Sequence, residues 1–229
     1  MITENLQRKI DRAIRLLQSV QKRYDGEIEI AYSGGKDSDV ILQLAKEAGI
    51  RYRAIYKNTT IDPPGTLGHV REMEVEILRA KVSFFHLVAQ KGFPSRFSRF
   101  CCEKLKEYKV LDKSVIGVRK AESRKRDERY NEPTQCRYYG AKTEKNHAEL
   151  IYPILEWTDE DVRDFIIDRK LKLAPIYYNG GGANRRIETS WLYVLPSRLK
   201  AQAHYRISEI SQDSKGLSPC GATIYGCAS

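Results

Sequence analysis

One short stretch narrows the folds open to this chain more than any other: Ser33-Gly34-Gly35-Lys36-Asp37-Ser38. It follows an alternating apolar run, Glu27-Ile-Glu-Ile-Ala-Tyr32, and opens a helical pattern, Asp39-Val-Ile-Leu-Gln-Leu-Ala45. Strand, glycine turn and helix in that order present bare backbone N–H groups to an anion. The glycines tolerate positive φ and let the chain approach the anion closely. The helix start adds unpaired donors and the positive end of the macrodipole. Lys36 supplies a charge, and Ser33 and Ser38 supply hydroxyls. The spacing differs from a Walker loop, which places four residues between its glycines. The pattern predicts phosphate binding at Ser33, Gly34, Gly35, Lys36 and Ser38.

The chain has 229 residues, room for one sizeable domain or one domain plus an appendage. No apolar run approaches the roughly 20 residues of a membrane span, and the charged, amphipathic N-terminus carries no secretory h-region. Five cysteines, two of them adjacent at Cys101-Cys102, do not read as a disulfide framework. A reducing, cytoplasmic setting is expected, with thiols kept for chemistry or metal. The net charge of +10 suits a polyanionic ligand, whether nucleotide, sulfonucleotide or nucleic acid, without choosing among them.

Residues 3–24 place Leu6, Ile10, Ala13, Ile14, Leu17 and Val20 at helical spacing, which predicts an amphipathic N-terminal helix within residues 1–26. Strands are then expected at 27–32, 52–57, 82–88 and 113–118, and helices at 38–48, 66–80 and 99–110. This alternation predicts an α/β fold with a doubly wound, mostly parallel sheet. Ligands of such sheets bind beyond the carboxyl ends of the strands, where the 33–36 turn would lie. Thr158 followed by Asp161 forms a capping-box pattern ahead of Val162, Phe165 and Ile166.

Three further stretches carry chemistry. Asn58-Thr-Thr-Ile-Asp62-Pro-Pro-Gly65 enforces a loop whose only charge is Asp62; it reads as a connector or as a loop beside a ribose or base. Arg99-Phe-Cys101-Cys102-Glu-Lys104-Leu-Lys106 sets adjacent thiols among cations, which favours thiolate. Thiolates serve as nucleophiles or iron–sulfur ligands, so Cys101 and Cys102 are candidates for both. Gly117-Val-Arg119-Lys-Ala-Glu-Ser-Arg124-Lys125-Arg126 follows an expected strand, and its guanidinium groups suit two-pronged binding of sulfate or phosphate.

Taken together, these segments and Tyr152-Pro-Ile-Leu-Glu-Trp-Thr-Asp-Glu-Asp-Val162 resemble the phosphoadenosine phosphosulfate (PAPS) reductase family of PP-loop proteins over about residues 27–180. The resemblance implies an adenine nucleotide α-hydrolase-like fold that binds ATP, adenylyl sulfate or PAPS. By that likeness Ser33, Gly35, Lys36 and Ser38 hold phosphate, and Arg119, Arg124 and Arg126, with Lys125 beside them, meet sulfate or a terminal phosphate. It also implies a thioredoxin-like electron donor, and a [4Fe-4S] cluster in one branch. This chain departs from both patterns. Its C-terminal Cys220-Gly221 lacks the acidic partner and histidine of the family's reducing tail, and no Cys-x-x-Cys follows Cys101-Cys102.

A change of reading frame would account for the missing pair. After Pro175-Ile-Tyr-Tyr-Asn-Gly180, where relatives carry Gly-Cys-x-x-Cys-Pro, this chain has Trp191-Leu-Tyr-Val-Leu-Pro196. One permitted spelling of residues 190–196, TCT TGG CTG TAT GTG CTG CCC, read one base later, gives Leu-Gly-Cys-Met-Cys-Cys-Pro. The expectation is that residues 181–229 match poorly because translation leaves its frame somewhere in 180–190, through gene decay or a sequencing error. The codons of Leu192, Val194 and Leu195 test it, since each must end in G.

The leading functional expectation is sulfonucleotide chemistry: a thiolate attacks activated sulfate while the glycine loop and arginines neutralise the anion. A second keeps the loop and changes the reaction to an ATP pyrophosphatase that adenylates an acceptor, with Mg²⁺ between the phosphates and Asp37 as its carboxylate. Nucleic-acid thiolation or phosphorothioation would then suit the positive charge. A third is a nucleotide-binding remnant without turnover.

Overall fold

The computed structural model describes residues 2–95, 98–139 and 143–178. The first helix, α1 (Glu4–Arg23), starts where the Thr3 hydroxyl accepts the Leu6 N–H. Leu6, Ile10, Ala13, Leu17 and Val20 form its buried stripe, as their spacing predicts. Strand β1 (Ile28–Tyr32) leads through the glycine turn into α2 (Lys36–Ala48), which ends on left-handed Gly49. Strand β2 (Tyr52–Asn58) pairs parallel to β1 in a five-residue register from Ile28↔Tyr52 to Tyr32↔Tyr56.

The next two expected elements differ in the structure. Residues 66–80 form no single helix: α3 (Thr66–Glu72) stops where Glu74 turns to φ 56°, and β3 (Glu76–Arg79) follows as the sheet's edge strand beside β2. Residues 82–88 are not a strand but the start of α4 (Phe84–Lys91). The Ser83 hydroxyl accepts the His86 N–H and fixes that helix start, while Phe84, Leu87 and Val88 bury at helical spacing. A short apolar run fits both periods, and the cap decides between them.

The chain continues through α5 (Phe100–Leu105), shorter than the expected 99–110, and β4 (Lys113–Val115), which stops three residues before the expected 118. After a 3₁₀ turn at Lys120–Glu122 come α6 (Arg124–Arg129), β5 (Thr134–Tyr138) and β6 (His147–Ile151). Neither of these strands was expected from the pattern; β5 is polar and largely exposed, which hides it. Helix α7 (Asp159–Asp168) opens with the expected capping box between Thr158 and Asp161. The Asp161 carboxylate also meets Lys9 of α1. Burial opposes its ionisation, yet the Lys9 ammonium and the Thr158 donors hold its pKa below the ordinary carboxylate value.

The six strands order as β3-β2-β1-β4-β6-β5, parallel throughout except for the antiparallel β5–β6 pair. This is the α/β, mostly parallel arrangement that the alternation of elements predicts. Helices α1, α2 and α7 cover one face, where Ile28, Ile30, Val115 and Ile151 of the sheet meet Leu17, Ile41, Trp157 and Phe165. Beneath the opposite face the strands carry buried polar groups: Glu29 is 2% exposed, and Lys57 reaches it across the sheet at 3.1 Å. None of the described helices is long and apolar enough to cross a membrane.

From β1 the chain runs outward through β2 to β3, then returns to the other side of β1 as β4. That reversal opens a crevice at the carboxyl ends of β1, β2 and β4.

Candidate functional site

The turn after β1 lies at this crevice. Gly34 has φ 73°, and a Cβ there would stand 2.6 Å from Cγ2 of Thr66 on α3, so a glycine is required twice over. Gly35 caps α2 through its backbone alone, and its carbonyl accepts the Ser38 N–H at 2.9 Å, the Ser38 hydroxyl at 2.6 Å and the Asp39 N–H at 3.1 Å. Ser38 is thus a buried brace of the turn that borders the adjoining second compartment, whereas Ser33, Gly34, Gly35, Lys36 and Asp37 line the cavity above it.

Charged groups hold the turn from behind. The Lys36 ammonium, 4% exposed, lies 3.3 Å from Asp37 Oδ2 and 3.8 Å from Asp159 Oδ1. Arg119 is fully buried: its Nε donates to Asp37 Oδ1 at 2.7 Å, one terminal nitrogen to Asp159 Oδ1 at 2.8 Å and the other to the Trp157 carbonyl at 3.5 Å. All three of its nitrogens face protein oxygens, and Arg119 does not line the cavity. It clamps the start of α2 to the start of α7. Asp37 faces two cations, Lys36 and Arg119, one on each carboxylate oxygen, and so braces the turn while it lines the cavity.

Below the turn, Tyr32, Asp39 and His69 form a closed polar triangle. The Tyr32 hydroxyl donates to Asp39 and lies 3.0 Å from His69 Nε2, which is itself 3.0 Å from the same Asp39 oxygen. Burial raises the Asp39 pKa despite these hydrogen bonds, and burial together with the Asp39 carboxylate drives that of Tyr32 upward. No motif marked this triangle; its one sequence trace is the carboxylate of Asp39 directly ahead of the apolar Val40-Ile41-Leu42 run of α2.

The cavity measures about 590 Å³. A second compartment of about 460 Å³ joins it through shared Ser33, Gly35, Asp37, Lys106, Glu122 and Arg126, and runs between the ends of β1, β2 and β4. The loop after β2 brings Asp62 onto the first wall. Its carboxylate accepts the Thr59 N–H at 3.2 Å and the Thr59 hydroxyl at 2.6 Å, and Lys106 lies 3.7 Å away. Buried Tyr56 also hydrogen-bonds Asp62, and its pKa is raised by burial first and by that carboxylate second. Thr60 beside it sits at φ 67°, a costly conformation for a β-branched residue and a mark of strain held at a site.

Across from the glycine turn stands α5. Cys101 and Cys102 both line the cavity, and the Arg99 guanidinium lies 3.5 Å from the Cys102 sulfur. Against the thiolate that the surrounding cations lead one to expect, burial, then the neighbouring Cys102, pushes the Cys101 thiol up. Two sulfurs fall short of the four thiolates that a [4Fe-4S] cluster takes, and the described residues contain no group of three or more His, Cys, Asp or Glu placed to hold a metal. They do not fit a complete cluster.

The basic run divides. Arg126 lines both compartments and pairs with Glu122, and burial lowers its pKa. Arg124 is 93% exposed and pairs with Glu128, while Lys125 is exposed on the same helix; neither lines the cavity. The walls thus set Lys36, Arg99, Lys106 and Arg126 against Asp37, Asp62 and Glu122. Thr66 and Tyr177 complete them from positions that no motif marked as a site. The segment 181–229, with the expected change of frame, lies outside the described residues.

Known proteins place this geometry. An uncharacterised protein of Methanocaldococcus jannaschii is 27% identical over 73% of this chain, which spans 37% of that protein. Sulfate adenylyltransferase subunit 2 of Alkalilimnicola ehrlichii is 25% identical over 72% of the chain and 65% of its own length. The chain therefore spans less than two thirds of either relative. Among solved structures, the PAPS reductase of Candida auris in a phosphate complex superposes with a TM-score of 0.50 at 15% identity, over 81% of this chain and 96% of that one, a likeness of fold. The family model of the phosphoadenosine phosphosulfate reductase domain matches residues 27–207. With the glycine turn at the sheet's reversal and most of the chain inside that match, the protein belongs to the phosphoadenosine phosphosulfate reductase domain family.

Proposed function

We propose that the crevice binds an adenine sulfonucleotide, adenylyl sulfate or PAPS, and that the protein moves its activated sulfate onto a thiol. One observation carries this reading: the glycine turn at the start of α2 and the Cys101–Cys102 pair face each other across a single cavity, with Arg99, Lys106 and Arg126 around it. The turn takes phosphate through backbone N–H groups and Lys36. The compartment lined by Ile55, Tyr56, Ile116 and Val118 offers the apolar surface that a purine needs. In the transfer, a cysteine sulfur attacks the sulfate sulfur. An S–S bond forms, the S–O bond to the nucleotide breaks, and the nucleotide's phosphate leaves with the electron pair. An external thiol of the thioredoxin class would then release sulfite. The arginines and the turn stabilise the charge that builds on the leaving phosphate.

A second reading draws on the sulfate adenylyltransferase subunit 2 relatives. The same turn would bind ATP and direct its α-phosphate to an acceptor, releasing pyrophosphate; nucleic acid is one acceptor that the +10 charge suits.

A binding screen with ATP, adenylyl sulfate and PAPS, combined with an assay for pyrophosphate release, separates the two. The sulfonucleotide reading expects the sulfated ligands to bind more tightly than ATP, with no pyrophosphate released. Lys36→Ala should weaken the preferred nucleotide about tenfold or more, the scale of a lost charged hydrogen bond. Unchanged binding of every adenine nucleotide in that variant would sink the assignment of the turn.

A further inference from the structure

The first helical N–H of α2 is the donor that a phosphate oxygen should take, because no intrahelical acceptor serves it. Here that N–H already has a partner: Lys36 N donates to the Tyr177 hydroxyl at 3.0 Å. The same hydroxyl stands 3.5 Å from where a Cβ of Gly35 would be, so it rests directly against the turn. Tyr177 also lines the cavity beside Ser33, Gly34 and Gly35.

Its position is built into the fold. A 3₁₀ turn, Pro175–Tyr177, carries it and is closed by the Tyr177 N–H on the Ala174 carbonyl at 3.0 Å. Ala174 and Leu173 anchor that turn, at 0% and 5% exposure. Pro175 packs against Gly65, leaving 3.1 Å for a Cβ there, which ties the same turn to the loop that ends with Asp62, Pro63 and Pro64. The tyrosine thus bridges two walls of the cavity through rigid backbone.

We infer that the Tyr177 hydroxyl occupies the place of a phosphate oxygen at the Lys36 N–H, and that nucleotide binding proceeds by exchange of that hydroxyl for phosphate. The inference rests on the proposed nucleotide reading and adds to it a gating residue at the turn. The exchange runs downhill once a phosphate arrives. A neutral hydroxyl makes an ordinary hydrogen bond to the N–H, whereas an anionic oxygen makes a charge-assisted one of about twice the strength, favoured further by the helix dipole. The ring leaves its place as the phosphate enters, while the anchored 3₁₀ turn keeps its contact with Gly65. A ligand without a phosphate oxygen at this point leaves the tyrosine in place, so the exchange also selects among nucleotides.

Tyr177→Phe on the full-length chain tests this by the sign of its effect. The ring keeps its packing and only the hydroxyl is lost. Inorganic pyrophosphate and ATP should each bind about two- to tenfold tighter, the range expected when one neutral hydrogen bond no longer competes. Weaker or unchanged binding in the variant would overturn the exchange and make Tyr177 a ligand contact or a bystander. A second measurement does not depend on the variant: 3-fluorotyrosine installed at position 177 alone should show a fluorine resonance that shifts as pyrophosphate saturates the site, and a resonance that stays put overturns the inference. If neither form binds pyrophosphate or any adenine nucleotide, the proposed function falls together with it, whereas tight binding to both forms with no difference between them removes only the exchange.

Discussion

The glycine turn and the cysteine wall face one another across the same cavity, yet they are held by opposite means. Behind the turn stand fully buried Arg119, nearly buried Lys36 and the buried triangle of Tyr32, Asp39 and His69. The cysteine wall is a six-residue helix in which Leu105 alone is buried, while Arg99, Cys101 and Cys102 remain partly or largely open to solvent. One side has its donors fixed in advance by desolvated charge pairs; the other has reactive groups on a lightly anchored surface. The difference suits a site that must hold an anion in one geometry and let a sulfur approach it from the other side.

The sharpest way to break this comparison is Arg119→Met. It leaves Asp37 without its guanidinium partner beneath the turn, and removing one side of a buried ion pair costs about 3–5 kcal/mol. The lower end is expected, because Asp159 is 55% exposed and can turn to water. Urea unfolding measures it, and a loss below about 1 kcal/mol would mean that the turn does not depend on this clamp.

Gly34→Ala comes next. A side chain at φ 73° with Thr66 Cγ2 at 2.6 Å should cost about 1–3 kcal/mol, with nucleotide binding falling more than stability does. Calorimetric titration beside a thermal melt separates the two effects. Smallest of all is Cys102→Ser, a near-isosteric change at a partly exposed position outside the buried core, which should move stability by no more than about 0.5 kcal/mol. Transfer of sulfate onto the protein, read by intact mass, should fall sharply if that sulfur is the acceptor. A stability loss comparable to that of Arg119→Met would show the two walls to be built alike.

The turn, the α1 stripe and the Thr158 cap were legible in the sequence because each depends on neighbours within a few residues. The elements from 66 to 91 were not. Whether Val-Ser-Phe-Phe-His-Leu-Val forms strand or helix is decided by the Ser83 cap, and by β3 having already taken the sheet edge beside β2. The role of Arg119 was hidden for a related reason. Its motif reads as an anion cradle, and only the fold brings Asp37 and Asp159 to its nitrogens, from 82 and 40 residues away. The same fold sends Arg124 and Lys125 outward on α6 and keeps Arg126 on the wall, a division that no charge count could show. Tyr177 reaches the turn across 141 residues of chain. Side chains whose meaning lies in distant partners are the ones a linear pattern misses.

The reversal of strand order has a mechanical consequence. Strands β3, β2 and β1 form one panel and β4, β6 and β5 another, and the two panels meet along a β1–β4 ladder of only two register pairs, Glu29↔Ser114 and Ile30↔Val115. The crevice opens directly over that short hem, with the glycine turn stitched to one panel and Arg126 to the other. A nucleotide bound across both would therefore act as a rivet, fastening the sheet where its own backbone fastens it least.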